Sequence, residues 1–213
     1  MPQFAPVTPD VVAELSAIVG ADYVVQVEPE LSIYGRDETD DLQYRAEVAV
    51  RPDSTEQVSR IMQLAHERKI PVTPRAAGTG LSGGALPVFG GIVLSVDRMN
   101  KILEIDEQNL MACVQPGVIT GVLHEAVAEK GLYYPPDPAS HGSCMIGGNI
   151  AENAGGPHCV KYGLTRDYVL ALQASTPDGR LYRTGGKLRK DVAGYDLAQL
   201  LVGSEGTLAV VTE

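Results

Sequence analysis

Residues 75 to 84, Arg75-Ala-Ala-Gly-Thr-Gly-Leu-Ser-Gly-Gly84, and residues 146 to 156, Ile146-Gly-Gly-Asn-Ile-Ala-Glu-Asn-Ala-Gly-Gly156, decide how this chain is read. In the first, Gly78-Thr79-Gly80-Leu81-Ser82-Gly83 fits the GxGxxG pattern of a dinucleotide-binding βαβ unit, and Asp97, after the next apolar run, offers an acidic partner. That unit needs a helix directly after its glycines. Gly84-Ala85-Leu86-Pro87-Val88-Phe89-Gly90-Gly91 is a poor helix, so the fingerprint does not apply. A phosphate loop ending in Gly-Lys also fails, because Gly84 stands where the lysine belongs. What remains is a long loop after a strand, poor in Cβ atoms and dense in backbone N–H groups. Such a loop makes an anion-binding concavity without a basic side chain; it equally suits a turn-rich hairpin connection.

The second stretch shifts the balance. Its glycine pairs bracket a single predicted turn, its small residues permit close backbone approach, and Asn149 or Asn153 can hydrogen-bond a ligand. One diphosphate held between the two loops accounts for both, which points to a dinucleotide.

The rest of the composition narrows the class. The chain has 213 residues, 44% hydrophobic and 21% charged, as in globular domains rather than disordered ones. Seventeen Lys and Arg against 27 Asp and Glu leave a net charge of −10, which argues against nucleic acid or an anionic membrane as partner. Three cysteines, Cys113, Cys144 and Cys159, lack CxxC spacing and suit reduced thiols. There is no apolar run of membrane-spanning length, and MPQFAPVTPDVVAELS does not read as a signal peptide. A cytoplasmic protein with no transmembrane segment is expected.

Thr8-Pro9-Asp10 opens a predicted helix that Gly20 stops, with Thr8 as cap. Ser54-Thr55-Glu56-Gln57 is a capping box for a helix carrying Val58, Ile61, Met62 and Ala65 up to Lys69. Strands are expected at Ala46–Val50, Pro71–Thr73, Ile92–Val96, Ile102–Ile105 and Leu110–Val114, and a helix from Thr120 to Gly131. Pro135, Pro136 and Pro138 exclude helix and central strand from their segment. Val169–Thr176 and Arg180–Thr184 form a predicted hairpin around Pro177-Asp178-Gly179, and Leu208–Val211 is an apolar run with no closing element. Strands and helices without strict alternation favour α+β over a doubly wound sheet.

Four segments then carry a specific resemblance: PRAAGTGLSGGALP from Pro74, YYPPDPAS from Tyr133, CMIGGNIAENAGGPHCVKYGLTRDYV from Cys144 and GYDLAQLLVGSEGTLAVVTE from Gly194. In this order they resemble the FAD-binding domain of the glycolate oxidase and D-lactate dehydrogenase family, within the vanillyl-alcohol-oxidase, PCMH-type flavoproteins. The resemblance implies an α+β domain of two lobes, about residues 1–100 and 101–213, with FAD between them and a substrate domain after Glu213. It implies that Gly78, Thr79, Gly80, Leu81, Ser82 and Gly83 cradle the pyrophosphate through backbone amides. Pro135, Asp137, Pro138 and Ser140 would line the flavin side. Cys144, Ile146, Gly147, Gly148 and Asn149, with Asn153, Gly155 and Gly156, would wrap diphosphate and ribose, and Tyr162 and Gly163 would lie beside them. Glu205, Gly206 and Val210 would approach the adenine.

Three departures stand out. The family has glycine at the positions of Ala76 and Ala209, and Ser or Thr at that of Met145. Because the glycine loop carries neither His nor Cys, FAD is expected to be non-covalent.

No catalytic or metal-binding residue is assigned. His141 and His158 lie near the expected flavin, but the family's base and metal ligands come from its other domain. Lys187, Arg189 and Lys190 read as a solvated loop, and Arg166 as the partner of a carboxylate. The expected function is the FAD-binding portion of a 2-hydroxy-acid oxidoreductase, moving a hydride from the α-carbon of glycolate, D-lactate or a similar acid to FAD. Partner subunits of a glycolate-oxidase-like complex are implied. The alternative is a stand-alone FAD-binding subunit without turnover of its own, completed by a partner chain; a relative acting on a sugar or aromatic alcohol is a third reading.

Overall fold

A computed structural model describes residues 4–213; the first three residues of the amino-terminal stretch lie outside it. Helix α1 (Pro9–Val19) follows Thr8, whose hydroxyl donates to the Asp10 carboxylate instead of capping the helix. Val11, Leu15 and Val19 recur at four-residue spacing and are its buried face. The chain then makes strand β1 (Val24–Val25), a single turn α2 (Glu30–Ile33) and strand β2 (Val48–Val50).

Helix α3 (Thr55–Arg68) starts as read from its capping box, with one shift. Ser54 Oγ accepts from the Gln57 amide at 3.4 Å, while Gln57 Oε1 accepts from Asp53 N–H rather than from Ser54. Strands β3 (Val72–Arg75) and β4 (Ile92–Ser95) complete a sheet ordered β1-β2-β4-β3, in which β2, β4 and β3 are parallel and β1 antiparallel. The fully buried Ile92 and Leu94 pack there with Leu15 of α1 and Ile61 of α3.

A second core follows. Strands β5 (Ile102–Asp106) and β6 (Met111–Val114) form a hairpin, with Leu110 at φ +56° in its turn rather than in the strand. Helix α4 (Thr120–Ala128) has Ile119 as its cap residue, and its Thr120 is buried. Helix α5 (Ile146–Glu152) replaces the single turn expected there. A short helix α6 (Cys159–Tyr162) precedes the predicted hairpin, which forms as β7 (Ala171–Ser175) and β8 (Leu181–Gly185). Helix α7 (Leu197–Leu201) and strand β9 (Val210–Val211) end the chain. Leu123, Ile146, Ile150, Leu172 and Leu201 are the centre of this core.

The apolar run at Leu208–Val211 is therefore closed, contrary to expectation. β9 pairs antiparallel with β7, and Ala209 and Val210 are buried. Val210 packs into the first core while its strand belongs to the second, so this segment joins the two. Arg166 also differs from its reading. It donates to the Val202 carbonyl at 3.1 Å instead of meeting a carboxylate.

Candidate functional site

Between the two cores lies a cleft of about 300 Å³. One wall is the loop that leaves β3, residues 75–81 with Gly84 and Ala85; the other is the segment Cys144–Met145 with the inner face of α5; Ser204–Gly206 and Ala209–Val211 close one side. The sequence dictates this opening. Strand β3 ends at Arg75, and seven of the next sixteen residues are Gly or Pro, so no regular element follows until Ile92.

Among the described residues, none of the backbone N–H groups of residues 77–85 donates a hydrogen bond to the chain. The Gly148 amide on the opposite wall is free as well, whereas its neighbours Ile146, Gly147 and Asn149 donate to Val118, Pro116 and Met145. Leu81 and Ser82 are exposed, but the other seven residues of the loop are half-buried, and half-buried amides in such number call for an acceptor from elsewhere. The steric space fits too. A Cβ on Gly80 would find nothing closer than Glu152 Oε1 at 3.8 Å, and one on Gly148 would stand 3.3 Å from the Ala76 Cβ of the facing wall. Bare amides on a glycine-lined cleft suit the oxygens of a diphosphate, so the donor set fits the group that the sequence suggests.

Of the residues singled out from the sequence, Gly78, Thr79, Gly80, Leu81, Pro138, Ser140, Cys144, Gly147, Gly148, Asn149, Glu205, Gly206 and Val210 line this cleft. The others stand behind or beside its walls. The Ser82 hydroxyl donates to Glu152 at 2.9 Å. Gly83 has φ +76° and turns the loop towards Leu86. Ile146 is buried in the second core. Asn153 ends α5 in the left-handed region, and its Oδ1 accepts from the Arg166 amide at 2.9 Å. Pro135 is buried, and the Asp137 amide donates to the Gly155 carbonyl at 3.1 Å, which binds the proline segment to the glycine pair Gly155–Gly156. Tyr162 stacks edge-on against Tyr133, and Gly163 leaves room for the Asp167 carboxylate.

Asn149 faces the cleft from a position 3% exposed, but its Nδ2 donates to Thr120 Oγ1 at 2.6 Å. Cys144 joins the same buried group, 3.2 Å from that hydroxyl. Met145 lines the cleft at the cap position of α5 and makes no capping hydrogen bond, so a Ser or Thr in its place would serve the helix as much as a ligand.

Several cleft residues were not singled out, among them Asp37, Arg75, Pro116, Glu152 and Ser204. Arg75 was legible only as the first residue of the glycine motif. It is 7% exposed, and burial pushes its pKa down while Asp37 and Tyr34 push it up. Glu152 and Glu205 approach the same point of the loop, 3.0 and 3.6 Å from where a Cβ on Gly84 would stand.

The histidines are not isolated. His141 Nδ1 lies 3.0 Å from one Asp137 oxygen and His158 Nδ1 3.9 Å from the other, and Tyr133 Oη is 3.3 Å from His158 Nδ1. Burial pushes the neighbouring Tyr134 phenol up to about 12. The three cysteines are free, no His, Cys, Asp and Glu group among the described residues is arranged to hold a metal, and no helix of theirs is long and apolar enough to cross a membrane.

Comparison with known proteins agrees with this geometry. The model of a family described as an FAD binding domain matches residues 46–185. The chain is 49% identical over 207 residues to the glycolate oxidase subunit GlcD of Bacillus subtilis, covering 97% of this chain and 44% of that one. It is 41% identical to a D-lactate dehydrogenase of Anaerostipes hadrus, covering 99% and 44%, and 42% identical to a D-2-hydroxyglutarate dehydrogenase of Stutzerimonas stutzeri, covering 96% and 44%. The chain thus spans less than half the length of these relatives. Among solved structures it is similar to alkyldihydroxyacetonephosphate synthase, with a TM-score of 0.84 at 26% identity over 99% of this chain and 44% of that one. It is also similar to p-cresol methylhydroxylase, with a TM-score of 0.81 at 25% identity over 94% and 41%. The expected α+β fold of the PCMH type is borne out.

Proposed function

The chain belongs to this family of FAD-binding domains, and we propose that it is the cofactor-holding part of a flavin-dependent 2-hydroxy-acid oxidoreductase. Glycolate, D-lactate or a similar acid is the proposed electron donor. The observation that carries the reading is the row of uncommitted amides at residues 77–85, facing Gly148 across a cleft between the cores. The substrate class is supported by relatives named for glycolate, D-lactate and D-2-hydroxyglutarate.

When bound, FAD supplies the acceptor for a hydride from the substrate α-carbon. This chain's part is binding and orientation. The amides of Gly78–Leu81 and Gly148 hold the diphosphate, with Ser82 and Gly83 shaping the loop. Pro138 and Ser140 face the flavin side, backed by Pro135 and Asp137, while Glu205, Gly206 and Val210 face the adenine. Cys144, Ile146, Gly147 and Asn149 form the opposite wall, and Asn153, Gly155, Gly156, Tyr162 and Gly163 support it from behind. Substrate is aimed and deprotonated by groups outside this chain, in a further domain or a partner subunit; the name of the Bacillus relative, a subunit, supports partner chains. Free cysteines support a reducing, cytoplasmic setting.

The reading is tested by loading the chain with FAD, precipitating it with acid and following the flavin. All of it enters the supernatant, since no His or Cys stands on the loop at residues 75–85; flavin kept in the denatured pellet contradicts the non-covalent reading. The loaded chain, mixed anaerobically with glycolate and with D- and L-lactate, keeps its flavin oxidised. Exchanging it for the matching portion of the Bacillus relative restores bleaching by a 2-hydroxy acid. Bleaching of the chain alone within seconds would instead assign catalysis to its own Asp137, His141 and His158; a chimera that holds FAD and bleaches with none of the acids contradicts the substrate class.

A further inference from the structure

The loop at residues 77–85 hides an unusual charge. Arg75 ends β3 beneath it, 7% exposed, and lines the cleft. Of its five N–H donors, only one finds a hydrogen-bond acceptor among the described residues, Nη1 to the Arg36 carbonyl at 2.7 Å. No carboxylate of the described residues lies within ion-pair distance of it. The guanidinium packs directly against Gly78, where a Cβ would fall 2.1 Å from Nη2 and 2.4 Å from Cζ. With φ +72°, Gly78 both makes the turn and leaves the space that the guanidinium fills.

A buried cation without a counter-ion is costly to the fold, and proteins keep such groups paired. Asp37 does not complete it. One of its oxygens accepts from the Thr39 amide, and the other is buried without any partner. The charged residues lining the cleft are Arg75 against Asp37, Glu152 and Glu205. A second anion entering this space meets three carboxylates and a single cation.

We propose that Arg75 is the counter-charge of the diphosphate site, its guanidinium under Gly78 attracting a diphosphate dianion that lies on the bare amides of residues 77–85. This rests on the reading of the cleft as an FAD site, and it deepens that reading. The amides give the site its shape, and Arg75 gives it its preference for a doubly charged linker over an uncharged ligand. Asp37 opposes it: by partly offsetting the guanidinium charge, its carboxylate weakens the attraction.

The full chain, its Arg75→Gln and Arg75→Lys variants, and Asp37→Asn are titrated with FAD, ADP and riboflavin at low and high salt. Arg75→Gln weakens FAD and ADP by about ten- to a hundred-fold, flattens their salt dependence and leaves riboflavin unchanged. Arg75→Lys keeps the salt dependence. The ligand-free melting temperature of Arg75→Gln does not fall, because an unpaired buried charge has been removed. Asp37→Asn, which keeps the arginine, tightens ADP several-fold and decides the matter if Arg75→Gln does not fold. Unchanged ADP binding in either variant overturns the proposal. So does equal loss of ADP and riboflavin, or a lower melting temperature with the ligand-induced rise intact. Wild-type chain that binds ADP but not FAD refutes the cofactor reading and leaves Arg75 standing; binding of neither refutes both.

Discussion

Gly80→Asp abolishes flavin binding and leaves the fold intact. Gly80 does not have the left-handed backbone that only glycine favours, and a Cβ there has no neighbour nearer than Glu152 Oε1 at 3.8 Å and Ser82 Oγ at 4.0 Å. The added carboxylate is therefore accommodated sterically. It stands among the free amides of residues 77–85 and accepts their hydrogen bonds in the ligand's place, on a cleft that already carries Asp37, Glu152 and Glu205. Competition for the donors together with like-charge repulsion costs about 3 kcal/mol or more, a weakening of at least a hundred-fold. Gly80→Ala, which adds the methyl without the charge, stays near wild type. Flavin fluorescence quenching and the ligand-free melting curve measure both effects; a Gly80→Asp chain that purifies yellow with unchanged affinity removes the diphosphate from this loop.

Gly156→Ala is the most damaging single methyl group for the fold. Its φ is +125°, and a Cβ would fall 1.9 Å from the carbonyl oxygen of Asp137 and 2.4 Å from its carbon. Both are backbone atoms, so the proline segment and the segment after α5 must part. Their hydrogen bond from the Asp137 amide to Gly155 is strained with them, and Pro138 and Ser140 on the cleft wall move. A loss of roughly 3–5 kcal/mol is expected, which for a chain of this size lowers the melting temperature by about 6–20 °C. Gly142→Ala, with nothing within 4 Å of its Cβ, is the neutral control. Equal melting temperatures for the two variants would show that the two segments part freely, and the wall would then not be a rigid one.

The sequence speaks clearly where a local signal and a tertiary demand coincide. Helix α3 carries both a Ser54 cap signal and an apolar stripe, and the hairpin β7–β8 has Pro177-Asp178-Gly179 between two alternating runs, with Gly179 at φ +82°. β1 and β9 are two residues each, too short for any periodicity, and they exist because β2 and β7 offer them an edge. The helix α5 was masked by its own glycines, which disfavour helix; Gly147 is held there because a Cβ would meet Pro116 at 2.7 Å.

The site was legible in the same uneven way. The glycine loop announced an anion site through composition alone. Asn149, by contrast, looked like a ligand donor but gives its amide to Thr120, a contact 29 residues away in sequence. Arg75 was in plain view within the motif, yet its burial follows from the crossing of the 35–44 segment, where the Glu38 amide donates to the Gly80 carbonyl at 3.1 Å. Sequence spacing carries no information on such a crossing. The pairing of His141 and His158 around Asp137 likewise depends on the fold bringing residues 137 and 158 together.

The central claim is that one diphosphate lies between the loop after β3 and the start of α5. Calorimetric titration of the ligand-free chain with FAD, in the presence and absence of ADP, measures this directly. One FAD per chain, displaced competitively by ADP and absent in Gly80→Asp, is the predicted result. FAD that binds with its affinity unaffected by saturating ADP, or that binds Gly80→Asp as it binds the wild type, would contradict it.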